Sequence, residues 1–155
     1  MKIQAIMSEE VRSCGPDTNL ASVVETMSQH DCGIVPVVGD HGEAVGVITD
    51  RDICLALGRR DVPASALVAR NVMTQPVIGC APDDDSVVAL LTMVQHRVRR
   101  LPVLGSGGVL VGILSVDDIV QRAAQAPATD PLRVAVLDVL AGIGARARAS
   151  TRHSV

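Results

Sequence analysis

Apolar positions along this chain fall into helical and strand-like blocks, and the blocks recur. Leu20, Val23, Val24 and Met27 share one helical face, which predicts a helix over about residues 19–30. Val87, Leu90, Leu91 and Val94 predict a second one, preceded by Asp83, Asp84 and Asp85, which suit the positive end of a helix dipole. Each is followed by two β-rich runs flanking a glycine-containing turn: 34–38 and 44–48 around Gly39-Asp40-His41-Gly42, then 100–104 and 109–114 around Gly105-Ser106-Gly107-Gly108. Each pair reads as a hairpin. A short run before each first helix, 11–14 or 77–80, reads as a strand, and a Pro-Asp pair after it announces the helix. A further helix starts at Thr49 or Ser115 after each hairpin. The predicted unit is strand, helix, strand, strand, helix, twice.

The recurrence is literal. At an offset of 66, Met7, Val11, Cys14, Pro16, Asp17, Met27, Gln29, His30, Pro36, Val37, Gly39, Gly42, Val45, Gly46, Asp52 and Ile53 meet the same residue types, without a gap. That period exceeds those of solenoid repeats, and two copies are too few for an array. The expectation is an α/β (α+β) fold in which two similar halves pack as a pseudo-twofold pair. The expected boundaries are repeat 1 over 1–57, a linker over 58–72 and repeat 2 over 73–126. Residues 127–155 form a C-terminal amphipathic helix with a basic tail. There Leu132, Val136, Val139, Leu140 and Ile143 fall on one face, a helix folded over the pair or buried in a homodimer.

Composition narrows the function classes. Apolar residues make up 48% of 155, enough for a core, yet Phe, Trp and Tyr are absent. A flat ligand ring must therefore lie between aliphatic side chains, and aromatic platforms for single-stranded nucleic acid are excluded. A net charge of −3 argues against general nucleic-acid binding. No apolar run reaches the ~18 residues of a membrane span, and no signal peptide is evident. The expectation is a cytoplasmic protein, with Cys14, Cys32, Cys54 and Cys80 reduced.

The candidate chemistry lies where a strand turns into a helix. Gly46, two aliphatics, Thr49 and then Asp52 three residues on are echoed by Gly112, two aliphatics, Ser115 and Asp118. Hydroxyl and acid at this spacing form a capping box, which needs no ligand. The same set also suits a ribose-phosphate: a helix N-terminus attracts phosphate, a carboxylate accepts from a ribose diol, and glycine admits close approach.

These residues, with Val72-Met73-Thr74, Val98-Arg99-Arg100-Leu101-Pro102-Val103 and the proline of Val35-Pro36-Val37, give the chain its resemblance to a tandem cystathionine-β-synthase-type (CBS) domain pair, or Bateman module, over about residues 6–125. The resemblance implies a non-catalytic regulatory sensor binding an adenosine compound (AMP, ADP, ATP or S-adenosylmethionine) between the repeats. By position, Thr49 and Ser115 would meet phosphate or ribose, and Asp52 and Asp118 the ribose hydroxyls. Val35, Leu101, Val11 and Val77 would line adenine, and Arg99, Arg100 and Arg51 would face phosphates. A homodimer and a separate effector protein are further expectations. The alternative is an interaction or dimerisation module with no nucleotide.

The two copies depart from each other at this site. Gly33 and Ile34 stand where repeat 2 has Arg99 and Arg100, and Asp117 stands where repeat 1 has Arg51. Guanidinium favours phosphate and carboxylate opposes it, so two equivalent sites are not expected. His30 and His96 suit helix C-termini better than metal ligation, and no cysteine–histidine spacing defines a metal site. No nucleophile–base set or P-loop is present, so neither a catalytic residue nor a required cofactor is expected.

Overall fold

A computed structural model describes residues 1–151, with side chains through Ala141. The elements are α1 (Leu20–Gln29), β1 (Ile34–Val38), β2 (Ala44–Thr49), α2 (Asp50–Arg60), α3 (Ser86–His96), β3 (Arg100–Leu104), β4 (Leu110–Ser115), α4 (Val116–Gln125) and α5 (Pro131–Thr151), with short 3-10 turns between them. β1 pairs with β2, and β3 with β4. The chain divides into two compact units that interleave along it. One comprises Ser8–Ala81 and Pro102–Ile113; the other comprises Met1–Met7, Pro82–Leu101 and the chain from Leu114 onward.

In the first unit, Asn19 caps α1 by accepting from the Ser22 amide, and His30 ends it. Leu20, Val23 and Met27 bury one face of α1 against Val35, Val37, Ile48 and Ile53. Val24, expected on that face, is exposed. The β1–β2 ladder is antiparallel, with Ile34 opposite Thr49 and a bulge between Val37 and Val38. The strand expected at 11–14 contracts to a single parallel bridge. Cys14 donates to the Pro36 carbonyl at 3.0 Å and accepts from Val38 at 2.9 Å. Cys80 does the same with Pro102 and Leu104. Pro36 and Pro102 have no N–H, so this contact uses their carbonyls and the amides two residues on.

The end of the expected linker is core. Leu67 and Ala69 are buried in the α1 cluster. Their segment runs across the start of α1: Leu20 donates to Leu67, Ala69 to Thr18 and Arg70 to Pro16, at 2.8–2.9 Å. Within this unit Ser8 exchanges hydrogen bonds with Ile113, and Thr74 with Val47; the Glu43–Val109 bridge lies between the hairpin turns. The offset of 66 maps the first pair onto the second and the third onto itself, the signature of a local twofold.

In the second unit, residues 1–4 do for α3 what 67–70 do for α1. Ser86 donates to Met1, Ile3 to Asp84 and Gln4 to Pro82, at 2.8–3.0 Å, with Ile3 wholly buried. Asp85 caps α3 through the Val87 amide and pairs with the Met1 ammonium. That pairing and the cap hydrogen bonds lower its pKa.

The buried face of α3 is Ser86, Ala89, Leu90 and Met93, whereas Leu91 and Val94 of the expected face are exposed. Apolar residues surround α3 over most of its length, so spacing alone did not select the inward side. α5 packs on α3 and α4, burying Leu132 and Val136. Val139 is half-buried; Leu140 points outward at 53% exposure, against expectation, and the side chain of Ile143 lies outside the described residues.

Candidate functional site

The two strand-to-helix junctions are built alike. Thr49 ends β2 in extended conformation and caps α2, so its hydroxyl sits over the first turn. Thr49 Oγ1 accepts from the Asp52 amide at 3.2 Å. Asp52 Oδ2 accepts from the Thr49 amide at 2.9 Å and from its hydroxyl at 2.7 Å. At the start of α4 the Ser115–Asp118 distances are 3.1, 2.8 and 2.6 Å. Both are complete capping boxes. In each, the second carboxylate oxygen makes no hydrogen bond among the described residues, leaving an acceptor for a diol.

The first-turn amides differ. In α2 the Asp50 amide donates to the Gly33 carbonyl, Arg51 to Asp50 Oδ1 and Asp52 to Thr49. All three are engaged, contrary to the expected free helix end. In α4 Val116 donates to the Arg99 carbonyl at 2.9 Å and Asp118 to Ser115. Val116 has no carboxylate to fold back as Asp50 does, and the Asp117 amide has no partner among the described residues. The Val116–Arg99 bond also holds the backbone at Arg99 beside the cap. Neither arginine forms an ion pair among the described residues; Arg99 is exposed and Arg100 half-buried.

Ser115, Asp118, Arg99, Arg100 and Leu101 thus fall in one unit. Thr49, Asp52, Arg51, Gly46, Val35, Val11, Val77 and Gly112 fall in the other. Arg51 is exposed near the start of α2. Several expected lining roles change. Val35 and Leu101 are wholly buried, so their side chains offer a ligand no surface. Val11 and Val77 are half-buried and keep some. Gly46 makes room for Met73, not for a ligand: a Cβ there would lie 2.5 Å from the Met73 sulfur. Gly112 is buried.

Met73 and the segments 1–4 and 67–70 went unrecognised as structural elements. Their signal was the repeat itself, which continues backwards with Ile6 over Val72, Ile3 over Ala69 and Met1 over Leu67. Burial raises the Cys14 thiol to about 11, so it is protonated and unreactive near neutrality. Among the described residues no group of three or more His, Cys, Asp or Glu side chains could hold a metal ion. None of the described helices is long and apolar enough to cross a membrane.

The family profile of the CBS domain matches residues 3–59 and again 69–125. The chain belongs to the CBS domain family. The CBS domain-containing protein YhcV of Bacillus subtilis is 31% identical over 117 residues, 76% of this chain and 81% of that protein. An uncharacterized protein of Methanopyrus kandleri is 29% identical over 78% of this chain, which spans 62% of that relative. Inosine-5'-monophosphate dehydrogenase of Methanocaldococcus jannaschii is 27% identical, but the match takes up only 23% of the enzyme.

Among solved structures, a CBS domain pair in complex with 5'-methylthioadenosine and S-adenosyl-L-methionine superposes with a TM-score of 0.73 at 22% identity, covering 81% of this chain and 97% of that one. CBSX2 in complex with AMP gives 0.71 at 24%, covering 80% and 96%. The two CBS repeats, each with an antiparallel hairpin and its helices, and the additional C-terminal helix together define this fold.

Proposed function

We propose that this CBS pair is a non-catalytic regulatory protein that binds an adenosine nucleotide, with the phosphate-bearing site at the start of α4. The observation that carries this is the convergence of four features at one helix end. They are a free carboxylate oxygen on Asp118, the Ser115 hydroxyl, a free Asp117 amide, and the unpaired Arg99 and Arg100. Asp118 accepts from the ribose hydroxyls, while the amide and a guanidinium receive phosphate oxygens. The adenosine ligands of similarly folded CBS pairs support the ligand class. Thr49 and Asp52, without a free first-turn amide and with Gly33 and Ile34 in place of arginines, suit an uncharged nucleoside better. Val11 and Val77, in the same unit as Thr49 and Asp52, keep apolar surface that a nucleoside ring could use there. AMP, ADP, ATP and S-adenosylmethionine are the candidates.

The functional protein is a cytoplasmic homodimer whose state an effector protein reads, with repeats over 1–57 and 73–126 joined by 58–72 and followed by the C-terminal helix. A ligand acts on such a protein only by favouring the conformation that binds it more tightly. With no Trp or Tyr, the protein barely absorbs at 280 nm, so a copurified adenine, absorbing near 260 nm, dominates its ultraviolet spectrum. The test is to purify without nucleotide, record the spectrum, and identify by mass what denaturation releases. Calorimetric titration with the four candidates follows. A blank spectrum together with no heat for any of them would leave a CBS pair that acts by protein contact alone.

A further inference from the structure

α5 has no counterpart in the repeats, and the fold uses only one of its sides. Leu132 and Val136 are buried where α5 lies on α3 and α4. On the side turned away, Val134, Leu137 and Leu140 follow one another at intervals of three residues and are 46%, 57% and 53% exposed. From Pro131 to Ala145 the sequence has two ionisable side chains, Arg133 and Asp138, and Arg133 is engaged with the Ala126 carbonyl at 2.9 Å. A helix apolar on two sides calls for cover on both, and exposed aliphatics in a row mark a contact surface. α5 also runs for 21 residues, whereas α3 and α4 have 11 and 10, so it outreaches the helices that hold it.

Charge says what kind of contact this is. Before Pro131 the chain holds ten Lys and Arg against sixteen Asp and Glu; from Pro131 onward it holds four arginines against one aspartate. Three of the four, Arg146, Arg148 and Arg152, follow the apolar row in sequence. We propose that α5 lays its outward side on an anionic phospholipid surface, with the aliphatics entering the interface and the arginines meeting lipid phosphates. Exposed aliphatics alone would suit many partners. An apolar row continued by arginines is the combination that interfacial helices use. The helix rests in the plane of the surface and does not span it, in keeping with its modest hydropathy. The same surface repels the acidic remainder of the chain, which turns α5 towards the lipid. This inference is independent of the nucleotide reading, and its test contains no nucleotide.

The test is co-sedimentation of the full chain with vesicles of phosphatidylcholine alone, or of phosphatidylcholine with ~30% phosphatidylglycerol. The unaltered protein should bind the anionic vesicles at least ~10-fold more tightly, and raising salt from ~0.1 to ~0.5 M should release most of it. The double variant Leu137→Glu, Leu140→Glu alters two exposed positions. It should keep its helical circular dichroism and lose at least ~10-fold in vesicle affinity. The triple variant Arg146→Gln, Arg148→Gln, Arg152→Gln should lose the preference for anionic vesicles. Val24→Glu, at an exposed aliphatic of the other unit, should change binding by less than ~2-fold. Failure of the unaltered protein to bind either kind of vesicle overturns the proposal, as does equal binding to both. A folded double variant that binds vesicles as before also overturns it. So does one whose only change is its sedimenting mass in solution, which would assign the row to a protein contact.

Discussion

The hydrogen bonds of the Thr49–Asp52 and Ser115–Asp118 caps agree to within 0.1 Å, yet the helix ends they serve present different chemistry. At α2, Asp50 takes the Arg51 amide for itself, and the entry to β1 brings Gly33 and Ile34. At α4, Val116 leaves the Asp117 amide free among the described residues, and the entry to β3 brings Arg99 and Arg100. Duplication preserved the backbone device, and a few side chains changed what the device can hold. The capping box is therefore a scaffold; the anion preference is set by its neighbours.

The comparison can be broken hardest at the segments that complete each half. Ile3 and Ala69 occupy equivalent buried places, one large and one small. Ile3→Ala should cost about 3 kcal/mol of stability, because it removes buried methylenes beside α3 and leaves a cavity. Chemical denaturation measures it; a loss under about 1 kcal/mol would mean that residues 1–4 only lie on the surface of their unit.

The functional asymmetry is sharpened by paired substitutions. Asp118→Ala should weaken binding of the phosphorylated ligand by ~10–100-fold, equivalent to ~1–3 kcal/mol, and Arg100→Ala should fall in the same range. Asp52→Ala should change it by less than ~3-fold. Calorimetry on all three decides, and equal effects of Asp52→Ala and Asp118→Ala would abolish the distinction. Val116→Asp copies the α2 arrangement into α4, offering the Asp117 amide an internal acceptor and adding a negative charge. It should reduce phosphate-ligand affinity by ~10-fold and affect an uncharged adenosine far less.

Position 86 gives a smaller effect of opposite sign. Ser86 is wholly buried and its hydroxyl has no partner among the described residues, whereas Leu20 fills the equivalent place on α1. Ser86→Ala should raise stability by about 1 kcal/mol by removing an unsatisfied polar group, and an unchanged or lower stability would mean that the hydroxyl is satisfied. Thermal melts of this variant beside the parent read the difference.

Smallest of all is a pH effect at Cys14. Its folded-state pKa is raised to about 11, so the unfolded chain loses this proton first. Stability should decline as pH rises from about 9 towards 11, and Cys14→Ala should flatten that slope. Alkylation at pH 8 should modify the exposed Cys54 well before Cys14.

Much was legible without coordinates. The offset of 66 and the turn glycines located both hairpins, and the hydroxyl–acid spacing located both caps, because local hydrogen bonding and turn geometry depend on residues close in sequence. Asn19 and His30, the expected limits of α1, became its caps.

Three features needed the tertiary structure. Helical spacing could not tell which side of α3 faces inward, since Val87, Val88, Leu90, Leu91 and Val94 are all apolar and burial depends on what packs beside them. The first strands contracted to single bridges at Cys14 and Cys80, whose partners lie 22 to 24 residues away in sequence. The completion of α1 by residues 67–70 and of α3 by residues 1–4 is a long-range pairing that no local pattern encodes. Sequence determined the repeated parts and their chemistry through near-neighbour physics; only the folded chain decided which distant segment closes each half, because that choice is made by shape and burial.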